Sequence, residues 1–186
     1  MSVFGNLCLG MCMLFLLALP VAGQLPDQAD PAGELLRFSS FDAQVVGSDV
    51  APQFHSAAQS VKMGSGNRLY VIREERERRE AEGAIVRDRK IRRVMVAALE
   101  SLDPGSIEIW ESPDRAVWNV AIYTYSDEDR AVSQEFSVLE GGVDDPYLRH
   151  LKFPYMTFLF STEAEAVSWS AELRGRVASV SRRNAD

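Results

Sequence analysis

A turn signal between two strand-like runs constrains the fold of this chain more than any other feature of its sequence. Residues 106–125 read SIEIWESPDRAVWNVAIYTY, where Ser-Pro-Asp separates two runs rich in β-branched and aromatic side chains. Proline fixes the backbone torsion that the second position of a turn requires, so the segment predicts a β-hairpin. Successive side chains of a strand point to opposite faces. We therefore place Trp118 on the core face, together with Ala116, Val120, Ile122 and Thr124.

Three later features extend this hairpin. Residues 130–140 alternate apolar and polar side chains, which predicts a strand with one wet face. Residues 155–160 are apolar on both faces, as in a strand that is covered on both sides. Thr162 and Glu165 fit a capping box, which predicts the first turn of a closing helix. The predicted buried stripe of that helix consists of Ala166, Trp169, Leu173, Val177 and Val180.

The residues before the hairpin favour helices. Residues 73–82 place Glu and Arg four positions apart, which is typical of a solvated helix. Residues 84–102 space their apolar side chains as a helix does, and Asp103-Pro104-Gly105 then ends the pattern. The members of this apolar stripe are Ile91, Val94, Met95, Ala98 and Leu102. Residues 24–67 are rich in Gly, Pro, Ser, Asp and Gln and predict a flexible linker, with a short amphipathic helix over 54–63.

These elements together predict an α+β fold. We expect an antiparallel sheet of about four strands, arranged as a meander and flanked by an N-terminal and a C-terminal helix. Residues 68–186 form the predicted domain, and a chain of this length is long enough for one ordinary hydrophobic core.

The first 23 residues predict export. No charged side chain precedes Asp27, and residues 7–22 are almost wholly apolar. Val-Ala-Gly then precedes Gln24, as at the cleavage site of a secretory signal peptide. The apolar run is shorter than the ~20 residues that span a bilayer, which favours cleavage. The alternative is an uncleaved anchor on an accessory subunit of a larger membrane complex.

The residue inventory excludes several chemistries. Cys8 and Cys12 both lie in the apolar run, so a chain cleaved before Gln24 has no disulfide, zinc thiolate or cysteine nucleophile. His55 and His150 are too few for a three-histidine metal site, and the Gly-x-Ser-x-Gly signature of serine hydrolases is absent. We therefore expect no metal, no cofactor and no catalysis. A small hydrolase that uses His150 with a nearby carboxylate is the enzymatic alternative.

The charge of the chain is unevenly distributed. The net charge of −7 disfavours a nucleic-acid partner. Residues 73–101 hold nine basic and seven acidic side chains, whereas residues 102–146 hold two basic and eleven acidic ones. In a meander the turn at 112–114 and the loop at 141–146 lie at the same end of the sheet. The acidic side chains that would share this rim are Glu111, Asp114, Glu140, Asp144 and Asp145.

This rim has three interpretations. Acidic residues are common in turns for backbone reasons, so solvated loops are the first. The second is a docking site for a basic partner or for the arginine-rich segment of the same chain. A calcium site is the third, and it lacks any ligand spacing.

Tyr123 and Tyr125 are further candidates for partner binding because they lie on the strand face opposite Trp118. The sequence thus predicts an exported, non-catalytic protein that binds another protein. A membrane is a partner only if the N-terminal segment is not cleaved.

Overall fold

The computed structural model describes residues 31–45, 53–81, 84–112, 117–126, 128, 130–140 and 147–183. In chain order, the described elements are β1 (Glu34–Val45), β2 (Gln53–Gly64), β3 (Arg68–Ala81), β4 (Ala84–Ala98), β5 (Glu108–Ser112), β6 (Val117–Tyr123), β7 (Val132–Glu140), β8 (Tyr147–Phe153), β9 (Tyr155–Phe160) and α1 (Glu163–Arg183). The strands form two antiparallel sheets. The large sheet has the order β1-β2-β3-β4-β7-β8, and the small sheet has the order β5-β6-β9. The predicted α+β meander with an N-terminal helix is therefore wrong.

The segments predicted as N-terminal helices are strands. Residues 84–98 form β4, which pairs with β3 along most of its length. Several charged side chains of residues 73–81 meet partners across the sheet instead of along a helix. Arg93 Nε donates to Glu75 Oε1 at 2.8 Å, and Arg76 makes two hydrogen bonds to Asp88. The helical spacing in these strands arises because both faces of the sheet carry apolar side chains.

The predicted linker also contributes strands. The short helix predicted over 54–63 is wrong, because these residues belong to β2, which pairs with both β1 and β3. The turn between β2 and β3 contains Gly66 and Asn67, whose φ angles are 66° and 53°. Glycine and asparagine adopt this left-handed region most readily, so the dipeptide favours a tight reversal.

The strand pairing of the predicted hairpin is confirmed, while residues 113–116 of its turn lie outside the described residues. Its strands β5 and β6 pair antiparallel, with Ile109 opposite Val120. β9 also forms where the sequence predicts a strand, and it pairs with the other side of β6. β6 is thus the central strand of the small sheet, and Val117 and Ala121 on one of its faces are buried as well as Val120 on the other. The meander does not continue, since β7 pairs with β4 in the large sheet.

The core lies between α1 and the two sheets. All five residues of the predicted helix stripe are buried, and the Glu165 N–H donates to Thr162 Oγ1 at 3.3 Å, as an N-cap requires. The same core cluster includes Val71 from the large sheet and Phe158 from the small one. Trp118 packs against this cluster but is only partly buried, so it lies at the edge of the core. Within the described part of the chain, no helix is long and apolar enough to cross a membrane.

Polar side chains of the large sheet form hydrogen bonds with backbone groups at the edge of β9. The Gln59 amide accepts from Leu159 N–H at 3.1 Å and donates to Leu159 O at 3.2 Å, as a neighbouring strand would. Ser39 also donates to Leu159 O, and the Arg73 guanidinium donates to Thr157 O at 2.9 Å. These bonds join the two sheets and prevent further strand pairing at this edge.

Candidate functional site

Exposed aromatic side chains lie on the outer face of the small sheet. Cross-strand register places Trp110, Tyr123 and Tyr155 on this one face, which we call the aromatic face. Trp110 is 41% exposed and Tyr155 is 38% exposed. The rings of Tyr123 and Tyr155 are 5.8 Å apart, and the Tyr123 hydroxyl donates to Glu108 Oε2 at 3.0 Å. Contacts thus hold the Tyr123 ring, while Trp110 and Tyr155 remain accessible, as in many protein-binding surfaces.

The structure separates the two predicted tyrosines. Tyr123 belongs to the aromatic face. Tyr125 follows β6, is exposed, and its hydroxyl lies 3.4 Å from Ser181 Oγ near the end of α1. Tyr155, which the sequence interpretation omitted, takes the place of Tyr125 beside Tyr123. Trp110 lies on the same face but opposite Asn119, four residues along β6 from Tyr123. Their membership of this face depends on the pairing of β5, β6 and β9.

The predicted acidic rim is divided between the two sheets. Glu111 is exposed on β5, whereas Glu140 ends β7 in the large sheet. Glu140 Oε1 accepts from Arg87 Nε at 2.9 Å, so this acid contacts the arginine-rich segment of its own chain. The remaining members, Asp114, Asp144 and Asp145, lie outside the described residues.

The edge strand β5 has only some of the features that protect sheet edges, since it is short and its charged side chains are the acids Glu108 and Glu111. Charged lysine or arginine side chains, proline and bulges discourage pairing with other chains. β8 carries Arg149 and Lys152, and the pairing of β1 shifts register near Arg37. β5 reads EIWES, has a regular register, and exposes Ile109 and Trp110. Within the described residues, β5 is therefore an edge strand without a basic side chain, a proline or a register shift.

A shallow depression on the outer face of the large sheet contains His150. Its volume is about 370 Å³, and it lies over β4, β7 and β8. His150 Nδ1 lies 3.8 Å from Glu135 Oε2, which exceeds the length of a hydrogen bond. Ser133 lines the same depression, but among the described residues no hydrogen bond joins its hydroxyl to the imidazole. The depression thus holds His150 with a carboxylate, as the hydrolase alternative requires, without a bonded nucleophile.

A buried charged cluster occupies the inner face of the large sheet. Glu75 contacts His55 on β2 and Arg93 on β4, and the side chains of Glu75 and His55 are 4% and 2% exposed. His55 Nε2 lies 3.0 Å from Glu75 Oε2 and donates to it, because an ionised carboxylate only accepts. Phe41 and Phe136 flank the cluster, with the Arg93 guanidinium 4.6 Å from the Phe136 ring centre.

The cluster keeps Glu75 ionised. Burial alone raises the pKa of this carboxyl. The His55 hydrogen bond and the charges of Arg73 and Arg93 lower the pKa by more than burial raises it, so that it falls from 4.5 to about 2. The sequence interpretation placed His55 in a linker helix and missed this cluster. The residues are far apart in the chain, and only the pairing of three strands brings them together. His55 Nδ1 is buried and has no hydrogen-bond partner among the described residues.

Comparison with known proteins adds no family assignment. No protein-family description matches the chain, and no curated protein or solved structure matches it either. Among the described residues, no three side chains of His, Cys, Asp or Glu lie close enough together to hold a metal ion. The functional interpretation therefore depends on the surfaces of this chain alone.

Proposed function

We propose that this chain is an exported, non-catalytic module that binds an extended segment of another protein on the free edge of β5. The observation that supports this proposal is that β5 pairs with β6 alone among the described strands. It exposes Ile109 and also Trp110, which belongs to the aromatic face. Added strands bind edge strands through backbone hydrogen bonds, and neighbouring side chains then select the sequence.

The charge of β5 specifies the partner. Glu108 and Glu111 are both exposed on this short strand, which has no basic side chain. A partner strand with lysine or arginine opposite these acids gains cross-strand ion pairs, whereas an acidic strand is repelled. Trp110 anchors an apolar side chain of the partner on the aromatic face. We therefore expect an extended segment that combines basic residues with apolar or aromatic ones.

Selection of peptides from a displayed random library tests this proposal. We expect the enriched peptides to carry basic and apolar residues. We also expect those amides of residues 108–112 that point away from β6 to exchange hydrogen more slowly in the complex, because they gain backbone partners. Trp110→Lys should weaken peptide binding about 30-fold, since it removes an aromatic anchor and adds a repelled charge.

Phe38→Lys is the matched control, because Phe38 is a 63% exposed aromatic residue on β1 of the other sheet. This variant should bind the selected peptides as tightly as the unchanged protein. Equal losses in the two variants, or unchanged hydrogen exchange in β5 on binding, would contradict strand addition at this edge.

Export is tested by mapping the N-terminus of the mature protein. The apolar run that ends in Val-Ala-Gly supports cleavage before Gln24. We expect mass spectrometry of the protein from its native compartment to find Gln24 as the first residue. An intact residue 1–23 segment in the membrane fraction would instead favour the anchored accessory subunit.

A further inference from the structure

The depression on the outer face of the large sheet presents opposite charges above an apolar floor. Val94 and Val96 form the floor and are half-buried. Ser133 lies directly opposite Lys152 in the strand register, and Glu135 lies directly opposite His150. The depression therefore has one row with the Lys152 ammonium and one row in which the Glu135 carboxylate lies 3.8 Å from the His150 imidazole, both built by β7 and β8.

The spacing of these two rows suits a ligand with two charged ends. Successive residues on one face of a strand are about 7 Å apart, which is the distance between the rows. A ligand with one charge satisfies one row and is repelled by the other. A zwitterion satisfies both, and an apolar group between its charges covers Val94 and Val96.

We propose that this depression binds an apolar dipeptide with free termini. Two extended residues span about 7 Å, so the terminal ammonium and carboxylate are separated by the distance between the rows. The carboxylate contacts the Lys152 ammonium and the Ser133 hydroxyl, and the terminal ammonium contacts Glu135. The volume of about 370 Å³ falls within the range of small-ligand pockets. This site is separate from β5 and does not depend on the function proposed for that edge.

Titration with leucyl-leucine, monitored by calorimetry and by the methyl resonances of Val94 and Val96, tests the proposal. We expect saturable binding that shifts these methyl resonances. The N-acetylated peptide and the C-terminal amide should each bind about tenfold more weakly, since each loses one charge-assisted contact.

Two variants test which side chain contacts each end of the ligand. Lys152→Met should bind the peptide acid and its amide equally, because the group that distinguishes them is gone. Glu135→Gln should likewise bind the free and acetylated peptides equally. Both side chains lie at the surface, so the fold should tolerate either change.

Lys90→Met is the matched control, since Lys90 is an exposed lysine on the same sheet face that does not line the depression. This variant should bind leucyl-leucine with unchanged affinity. It should still prefer the peptide acid to its amide and the free peptide to the acetylated one. Absence of saturable binding would overturn the proposal. So would equal binding of the doubly blocked peptide, or discrimination that persists in Lys152→Met or Glu135→Gln.

Discussion

Trp169→Ala should lower the free energy of unfolding by about 3 to 5 kcal/mol. Trp169 is fully buried at the centre of the α1 stripe, and its ring packs edge-on against Phe158 at a centroid distance of 5.3 Å. The Arg37 guanidinium lies 6.0 Å from the same ring. Alanine removes these contacts and leaves a cavity where α1 meets both sheets, so the helix loses its main attachment.

Chemical denaturation of three variants measures this effect. Trp118→Ala is the control, because Trp118 is only partly buried and its loss should cost less than that of Trp169. Trp169→Phe should also cost less than alanine, since it keeps much of the volume and removes an indole N–H that has no partner among the described residues. A larger loss in Trp118→Ala than in Trp169→Ala would place the centre of the core elsewhere.

Glu75→Gln should lower the free energy of unfolding by about 3 kcal/mol at neutral pH. The substitution keeps the size of the side chain but removes the anion that Arg73, Arg93 and His55 surround. The buried Arg73 is then left with less compensating charge, which is costly in a region of low dielectric.

The pH dependence of stability distinguishes the contribution of the Glu75 charge from that of its side-chain shape. The pKa of this carboxyl falls from 4.5 to about 2 in the folded state. A depressed pKa adds stability that is fully present above pH 4.5 and is lost as the pH falls towards 2. We therefore expect the unchanged protein to lose about 3 kcal/mol more than Glu75→Gln across this window, measured by denaturation at stepwise pH values.

Asp88→Asn is the matched control on the same pair of strands. Asp88 makes two hydrogen bonds to Arg76, but this pair lies at the surface. Although Arg76 also lowers the pKa of Asp88, solvent screens the interaction, so the loss should stay within about 1 kcal/mol. Equal effects of the two substitutions would show that burial does not strengthen the Glu75 cluster.

The elements that the sequence predicts correctly are those whose signals are local. The hairpin of β5 and β6 depends on a turn and on alternation within about 20 residues. The helix α1 depends on the Thr162 cap and on a stripe that repeats through Val180. In both cases neighbouring residues carry most of the information, because the period of the apolar side chains matches one element only.

The same reasoning fails for β3 and β4. Their charges are compatible with ion pairs along a helix, yet the structure pairs Arg76 with Asp88 and Arg93 with Glu75 across two strands. Both strands also carry apolar side chains on their two faces, such as Val94 outside and Met95 inside. Two-sided apolar strands lose the alternation that distinguishes them from helices.

The residues of the candidate sites also fall into two groups, those that the local sequence identifies and those that only strand pairing brings together. The sequence alone identified Tyr123 and Glu111 as surface candidates, and both lie in the small sheet. Trp110 joins Tyr123 only because β5, β6 and β9 pair in one register. The cluster around Glu75 and the opposed pairs of the outer depression likewise require partners from separate strands. Local patterns predict the hairpin, the closing helix and its buried stripe, because these depend on contacts between near neighbours. The sheet order and the sites follow only from the fold, because strand pairing brings together residues that no local pattern connects.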